Sequence, residues 1–402
     1  MSERPIAPCP ILVRPVVTKS DLRTFITLPW KLYRSDPNWI PPLISEMRST
    51  LTGPDNAQFA AGPHVLALAY RLPAGAGGRG GAVVGRGGAG AARPQVVGRV
   101  VAGINEPVNR AKDRKTGYVS LFESENDYDV ARTLFDWACG WLREKGMTAV
   151  QGPVSPTNGD DYRGLLVKGF DSPPVLMDTY NPPVYVDFFE RYGFVKDIDL
   201  FAYLYRPDSL SGRYDKVAAY AMSRYGYRTD PLSIKHLDRD LRDLKEVLDK
   251  AMPEEWADMV PPTYEELEGI GRTLRPLAEP ELCCLARTAA GEPIGFIIGL
   301  PNYNEVLARL NGRLWPFGFA KFLWYRRRIK SARFFVAFVV PDWRKKGVTG
   351  AMFVHVLRAG RRLGYEWAEG STIGETNYPM RRDAERAGGE HYKTYRIYRK
   401  DL

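Results

Sequence analysis

The sequence predicts an α/β (α+β) chain of two tandem domains, residues 1–210 and 211–402, each a mixed, mostly antiparallel sheet flanked by helices. Three observations lead there. At 402 residues and 44% hydrophobic content the chain is longer than one ordinary core can use. Both halves run through an antiparallel hairpin, a strong strand, an amphipathic helix and a late strand, with a helix-stop glycine ahead of that strand at Gly146 and at Gly364. Both also close alike: Asn181 is followed by "ERYGF" from Glu190, and Asn377 by "ERAGG" from Glu385, as in an internal twofold repeat.

In the first half, "TKSDLRTFITLPWKLYRSDPNW" has the acidic start and apolar period of a helix, and "HVLALAY" and "QVVGRVVAGIN" read as a hairpin. The Gly/Ala-rich stretch 73–95 between those strands buries too little apolar surface to order itself and reads as a loop. After "GYVSLFES", Val130, Leu134, Trp137, Ala138 and Trp141 recur at helical spacing, and "MTAVQGPV" is the late strand. In the second half "DPLSIKHL" reads as a strand, and two amphipathic helices and the hairpin "ELCCLARTA" to "EPIGFIIGLPN" follow. "SARFFVAFVVP" is a strand, Val348, Met352, Val356, Ala359 and Leu363 mark one face of a helix, and "YEWAEGS" is a strand.

Charge narrows the partners. Lys and Arg outnumber Asp and Glu by 57 to 47, a net +10, which favours an anionic ligand or surface. The four cysteines show no CxxC spacing and the four histidines are scattered, so neither a disulfide framework nor a metal site is expected. The N-terminus lacks a signal layout and no apolar run reaches the roughly 20 residues of a membrane span, so a cytoplasmic protein is expected.

The most informative stretch is "VVPDWRKKGVTGAMF", Val339 to Phe353. It carries a strand into three basic residues, a pair of glycines and a helix. A helix N-terminus offers unpaired N–H donors and the positive end of its dipole, which suits phosphate. The first half has "ESENDYD" at the equivalent place, where acidic residues repel phosphate.

The element order and this loop resemble the GCN5-related N-acetyltransferase (GNAT) fold. In that family the loop after the fourth strand reads Arg or Gln, two residues, Gly, one residue, then Gly or Ala, and binds the pyrophosphate of acyl-coenzyme A. The match here is Arg344, Lys345, Lys346, Gly347, Val348 and Thr349, with Thr349 in place of the final small residue and Gly350 one step later. The resemblance thus implies that acyl-CoA lies along Val339, Val340 and the stretch from Arg344 to Gly350, with Asn377 near its pantetheine arm, and that no metal takes part. It also implies one live and one degenerate domain. Direct acyl transfer to an amine needs a base and a proton donor for the leaving thiolate. Glu375 and then Glu369 are the candidate bases; Glu366 is out of phase with Glu369 on the strand. Among Tyr392, Tyr395 and Tyr398, Tyr395 is the candidate acid.

Residues 304–330, between the third and fourth strands of the second half, alternate aromatic and basic residues around a Trp315-Pro316-Phe317-Gly318 break. That composition suits either a membrane interface or a packing helix pair, and no RNA-binding motif accompanies it. Over the whole chain, "FITLPWKLYRSDPNWIPPL", "GLLVKGFDSPPVLM", "YNPPVYVDFFERYGF" and "KTYRIYRKDL" resemble a bacterial family of tandem GNAT-like proteins that includes the bacterial ceramide synthases. "STIGETN" departs from it, with Thr372 where tryptophan is expected. The resemblance implies an acyl-CoA-dependent N-acyltransferase acting on a lipid-like amine, most specifically a sphingoid base, with peripheral contact to the inner face of the cell membrane and no nucleic-acid partner. The alternatives are transfer to a soluble amine or amino acid, and a non-catalytic acyl-CoA- or lipid-binding protein.

Overall fold

A computed structural model describes residues 10–53, 56–73, 93–157, 159, 161–206, 212–252 and 261–402. In the first half of the chain the order is β1 (Ile11–Pro15), α1 (Lys19–Leu32), α2 (Ile44–Thr52), α3 (Ala57–Ala60), β2 (His64–Arg71), β3 (Gln95–Ile104), α4 (Glu106–Ala111), β4 (Thr116–Ser124), α5 (Tyr128–Glu144), β5 (Ala149–Gly152), β6 (Leu165–Lys168), α6 (Val184–Arg191) and β7 (Val195–Tyr205). Then come α7 (Gly212–Tyr225), β8 (Tyr227–Pro231), α8 (Leu237–Ala251), α9 (Tyr264–Leu274), β9 (Cys284–Thr288), β10 (Pro293–Pro301), α10 (Asn304–Leu310), α11 (Gly318–Tyr325), β11 (Ser331–Val339), α12 (Val348–Leu363), β12 (Trp367–Gly374), α13 (Tyr378–Arg386) and β13 (Glu390–Asp401).

The chain divides into two compact units. Unit 1 holds residues 1–158, 181–197 and 397–402; unit 2 holds 159–180 and 198–396. This differs from a cut at 210/211, because β6 and most of β7, early in the chain, pair with strands of unit 2.

In unit 1, β1 to β4 form an antiparallel ladder. β5 then runs parallel to β4, and the end of β13 pairs antiparallel with β5. The hairpin of β2 and β3 forms as expected, with Ala67 opposite Val100; most of the Gly/Ala-rich stretch (74–92) lies outside the described residues. α5 buries Val130, Leu134 and Ala138 completely.

Unit 2 repeats the plan: β8 to β11 are antiparallel, β12 is parallel to β11, and β7 pairs antiparallel with β12. The strand expected over "DPLSIKHL" stops at Pro231, which has no N–H for a ladder, and Ile234–His236 forms a 3-10 turn. α12 buries Val348, Met352, Val356 and Ala359, whereas Leu363, its last residue, is 40% exposed before Gly364 ends the helix in the left-handed region. The core joins Val348, Met352 and Val356 to Leu285, Phe296 and Phe334 of the sheet. β11 and β12 pair only from Ser331/Trp367 to Phe334/Gly370, so the two parallel strands part there and open a splay in the sheet. The sequence reading placed no helix at α7, although Ala218 and Ala221 are buried on its inner face.

Candidate active site

The parting of β11 and β12 holds a cluster of buried polar side chains, all within unit 2. Arg333 on β11 sits opposite Glu369 on β12, 1% and 0% exposed. The Arg333 guanidinium uses its full fork: Nη2 meets Asp178 Oδ1 at 2.7 Å, Nη1 donates to the Leu176 carbonyl at 2.7 Å, and Nε donates to Ser371 Oγ at 2.9 Å. From β13, Tyr392 donates its hydroxyl to Glu369 Oε2, and Tyr395 donates to Asp178 Oδ2 at 3.1 Å.

Glu369 Oε1 is buried without a donor, and the carboxyl of Asp178, like the Tyr392 hydroxyl, lies within hydrogen-bonding reach of Glu369. A buried carboxyl within reach of another is favoured in its protonated form, which can donate where a carboxylate can only accept. Asp178 is accordingly pushed well above the usual carboxylate range, by burial first and by the Glu369 charge, with Arg333 opposing. Burial likewise raises both Tyr392 and Tyr395 and lowers Lys393, whose ammonium donates to the carbonyls of Gly169 at 3.0 Å and Ser172 at 2.7 Å.

Asp178 reaches the cluster on a loop that polar side chains hold in place. Asn302 accepts from the Leu176 N–H at 2.9 Å, and Asn304 donates to the Pro174 carbonyl at 2.9 Å. Lys393 and Arg333 bind the same segment.

Of the sequence candidates, the structure brings Glu369 and Tyr395 together and leaves Glu375 aside. Glu375 continues the β12 ladder instead: its N–H donates to the Asp199 carbonyl at 2.8 Å and its Oε1 accepts from the Asp199 N–H at 3.2 Å. Glu366 is exposed and pairs with Lys330 at 3.3 Å. Tyr398 belongs to unit 1, where its hydroxyl donates to Glu190 at 3.1 Å. Asn377 caps α13, its Oδ1 accepting from the Met380 N–H at 3.3 Å.

The loop into α12 has the form expected of an anion site, with two adjustments. Gly347 is the N-cap at φ +76° and offers no capping side chain, so the first-turn N–H groups of Val348, Thr349 and Gly350 have no partner within the helix. Lys345 is also left-handed at φ +65° and exposed, and Lys346 lies over the Trp343 ring at 4.5 Å. Arg344, however, braces the loop: Nε donates to the Val339 carbonyl at 3.2 Å and Nη2 to the Ala251 carbonyl at 3.1 Å. Val339 and Val340 are buried and tied to β10, the Val340 N–H bonding the Ile294 carbonyl. The glycines also serve helix packing: a Cβ at Gly347 would lie 2.8 Å from Ala221 Cβ, and one at Gly350 would lie 3.2 Å from the Tyr214 hydroxyl, both on α7. The uncapped turn and the lysines, rather than the glycines alone, therefore suit the group for a coenzyme pyrophosphate. Thr349 donates to Asp383, which burial raises above its ordinary value.

Sequence reasoning missed Asp178, Arg333 and Lys393. A lone arginine within "SARFFVAFVV" was the available signal, since a charge in a buried strand needs a partner. Among the described residues no group of His, Cys, Asp or Glu side chains is placed to hold a metal ion.

No protein-family model matches the chain. It is 33% identical to the bacterial ceramide synthase of Caulobacter vibrioides over 400 residues, 97% of either chain. It is 32% identical to protein YghO of Escherichia coli over 401 residues, 97% of this chain and 95% of that one. In fold it matches a tandem GNAT protein from the clavulanic acid biosynthesis pathway with a TM-score of 0.56, at 12% identity and 98% coverage of each chain. The chain belongs to the family of tandem GNAT-type N-acyltransferases that includes the bacterial ceramide synthase.

Proposed function

We propose that this protein transfers a long-chain acyl group from acyl-CoA to the amine of a lipid-like acceptor, most specifically a sphingoid base, giving a ceramide or ketoceramide. The observation that supports this most is the buried pair of Asp178 and Glu369, flanked by Tyr392 and Tyr395, where β11 and β12 part. The likeness to the Caulobacter protein supports the choice of acceptor.

In this scheme the first turn of α12 with Lys345 and Lys346 holds the coenzyme pyrophosphate, and the splay receives the thioester. Glu369 takes the proton that the amine loses as its nitrogen bonds to the acyl carbon. The carbon–sulfur bond breaks, and Tyr395 or Tyr392 gives a proton to the leaving thiolate, recovering it through the carboxyl pair. Arg333 holds Asp178 in place, and Asp178 sets the proton content of the pair. The carboxyls supply the proton transfers, and burial keeps water from the thioester. A peripheral position on the inner face of the cell membrane belongs to the same scheme, because the acceptor is itself a membrane lipid.

Mass-spectrometric product detection tests it, with the purified protein mixed with palmitoyl-CoA or acetyl-CoA and a panel holding sphinganine, 3-ketosphinganine and free amino acids. An N-palmitoyl sphingoid product is expected. Acetyl transfer to an amino acid would instead establish the soluble-amine reading, and silence with every amine would leave an acyl-CoA-binding protein.

A further inference from the structure

Between β10 and β11 the chain leaves the sheet to form α10, a turn and α11, and this excursion carries an unusual surface. Trp315 and Phe317 are each 78% exposed, Trp324 60%, Phe319 50% and Leu323 44%. Five large apolar side chains are thus exposed within ten residues, with Trp315 stacked on Phe319 at 6.4 Å, a concentration of the kind that marks an interaction site.

The charge around the patch has one sign. Residues 304–330 hold seven basic side chains and a single acidic one, Glu305. Glu305 is turned to its own scaffold, where it accepts from the Lys330 N–H at 3.0 Å and from the Ser331 hydroxyl at 2.5 Å. Arg313, Lys321 and the run Arg326 to Arg328 stay exposed, and Arg328 lies over the Trp324 ring at 4.5 Å. An aromatic flank and a cationic flank are thus held side by side.

The patch is also firmly mounted. Tyr303 stacks on Phe322 at 5.7 Å, Leu310 and Ile329 are buried beneath, and Asn304 is bonded to the Pro174 carbonyl. Ser331, the first residue of β11 and a partner of Glu305, stands two residues from Arg333 of the buried cluster.

We propose that the segment 313–328 docks the protein on an anionic phospholipid bilayer, with the aromatic side chains at headgroup depth and the arginines on lipid phosphate. Tryptophan with phenylalanine is the composition that partitions into that interface, and each added cation strengthens it on a negative surface. The net positive charge of the segment fits that partner and opposes docking of a second, equally positive copy. Docking on this face sets the start of β11, and so the candidate site, next to the layer that holds a lipid acceptor. The inference deepens the peripheral position of the proposed function, and because it is read without substrate its failure is distinguishable from failure of the acyl-transfer scheme.

The experiment is co-sedimentation of the full chain with vesicles of phosphatidylcholine alone or mixed with phosphatidylglycerol. The wild-type protein is expected to pellet with the mixed vesicles and to be released by salt. Replacing Arg326, Arg327 and Arg328 together with Gln is expected to lower that partitioning about a hundredfold. Trp315→Ala with Phe317→Ala, both at exposed side chains, is expected to lower it at least about tenfold while leaving the melting temperature unchanged. Absence of wild-type binding, or binding that neither variant alters, overturns the proposal. So does a dimer that the same variants dissociate, or tighter binding of an RNA probe than of the anionic vesicles.

Discussion

The turn from β4 into α5 in unit 1 and the turn from β11 into α12 in unit 2 have the same architecture and opposite chemistry. In each, a parallel strand pair separates after a few residues and the chain bends into a helix. Unit 1 fills the place with its own carboxylates. Asp127 caps α5 by accepting from the Asp129 N–H, Glu125 binds Lys31 and Arg71 at 2.8 and 2.7 Å, and Glu123 accepts from Tyr33 and Tyr185 at 2.7 and 3.1 Å. Unit 2 leaves its first turn uncapped and puts lysines beside it. A helix start that has supplied its own anion has little left to offer a phosphate, whereas one begun by a bare glycine keeps its donors.

The buried carboxylates differ in the same sense. Glu123 has both tyrosine hydroxyls on Oε2 and the Arg99 guanidinium 3.6 Å from Oε1, although burial still raises its titration. Glu369 has one donor, Tyr392 at Oε2, and its Oε1 is buried without one. A satisfied buried network rigidifies a core, and an oxygen left without a donor is the group open to a ligand.

The comparison can be broken at several points. The largest effect is expected at Arg333: Arg333→Met leaves the buried Asp178 carboxyl and the Leu176 carbonyl without the guanidinium that holds them and should cost about 3–5 kcal/mol in chemical denaturation. In unit 1 a like loss would require Glu123 or Arg99. Next, Lys345→Ala with Lys346→Ala should weaken acyl-CoA binding by calorimetry about tenfold, roughly 1.4 kcal/mol, with the gap closing as salt is added. Unchanged affinity would move the coenzyme away from α12.

The pH dependence of stability gives a smaller effect. Because Asp178 is raised, the folded protein keeps a proton that the unfolded chain has released above the usual carboxylate range. Stability from this group is therefore present at low pH and declines as pH rises from about 4 toward the folded value, by at most about 1.4 kcal/mol per pH unit. Asp178→Asn should flatten that slope in denaturation series, and an unaltered slope would mean that Asp178 keeps no such proton. The smallest effect is expected for Glu375→Gln, because Oε1 accepts the Asp199 N–H and an amide oxygen accepts it equally: turnover should stay within about threefold.

The fold was legible because its signals are local. The period of Val348, Met352, Val356 and Ala359, the stop at Gly364 and the alternation along the hairpins each report on a few neighbouring residues. The glycine-started helix was legible for the same reason, though Arg344 read as a phosphate ligand where it braces two carbonyls. The carboxyl pair was half legible. Glu369 stood out on its strand, but Asp178 arrives from a loop far earlier in the chain, held there by Asn302, Asn304, Arg333 and Lys393. No periodicity encodes such a meeting. Glu375 ranked first because it follows the strand, a position that says nothing about the β7 backbone it joins.

The most direct measurement sets Glu369→Gln beside Glu123→Gln and follows N-acylation of sphinganine by palmitoyl-CoA, with melting temperatures recorded for both. The loss expected for Glu369→Gln is about a hundredfold or more in turnover in a folded protein, with Glu123→Gln close to wild type. Equal turnover in the two variants would contradict the assignment of the chemistry to unit 2.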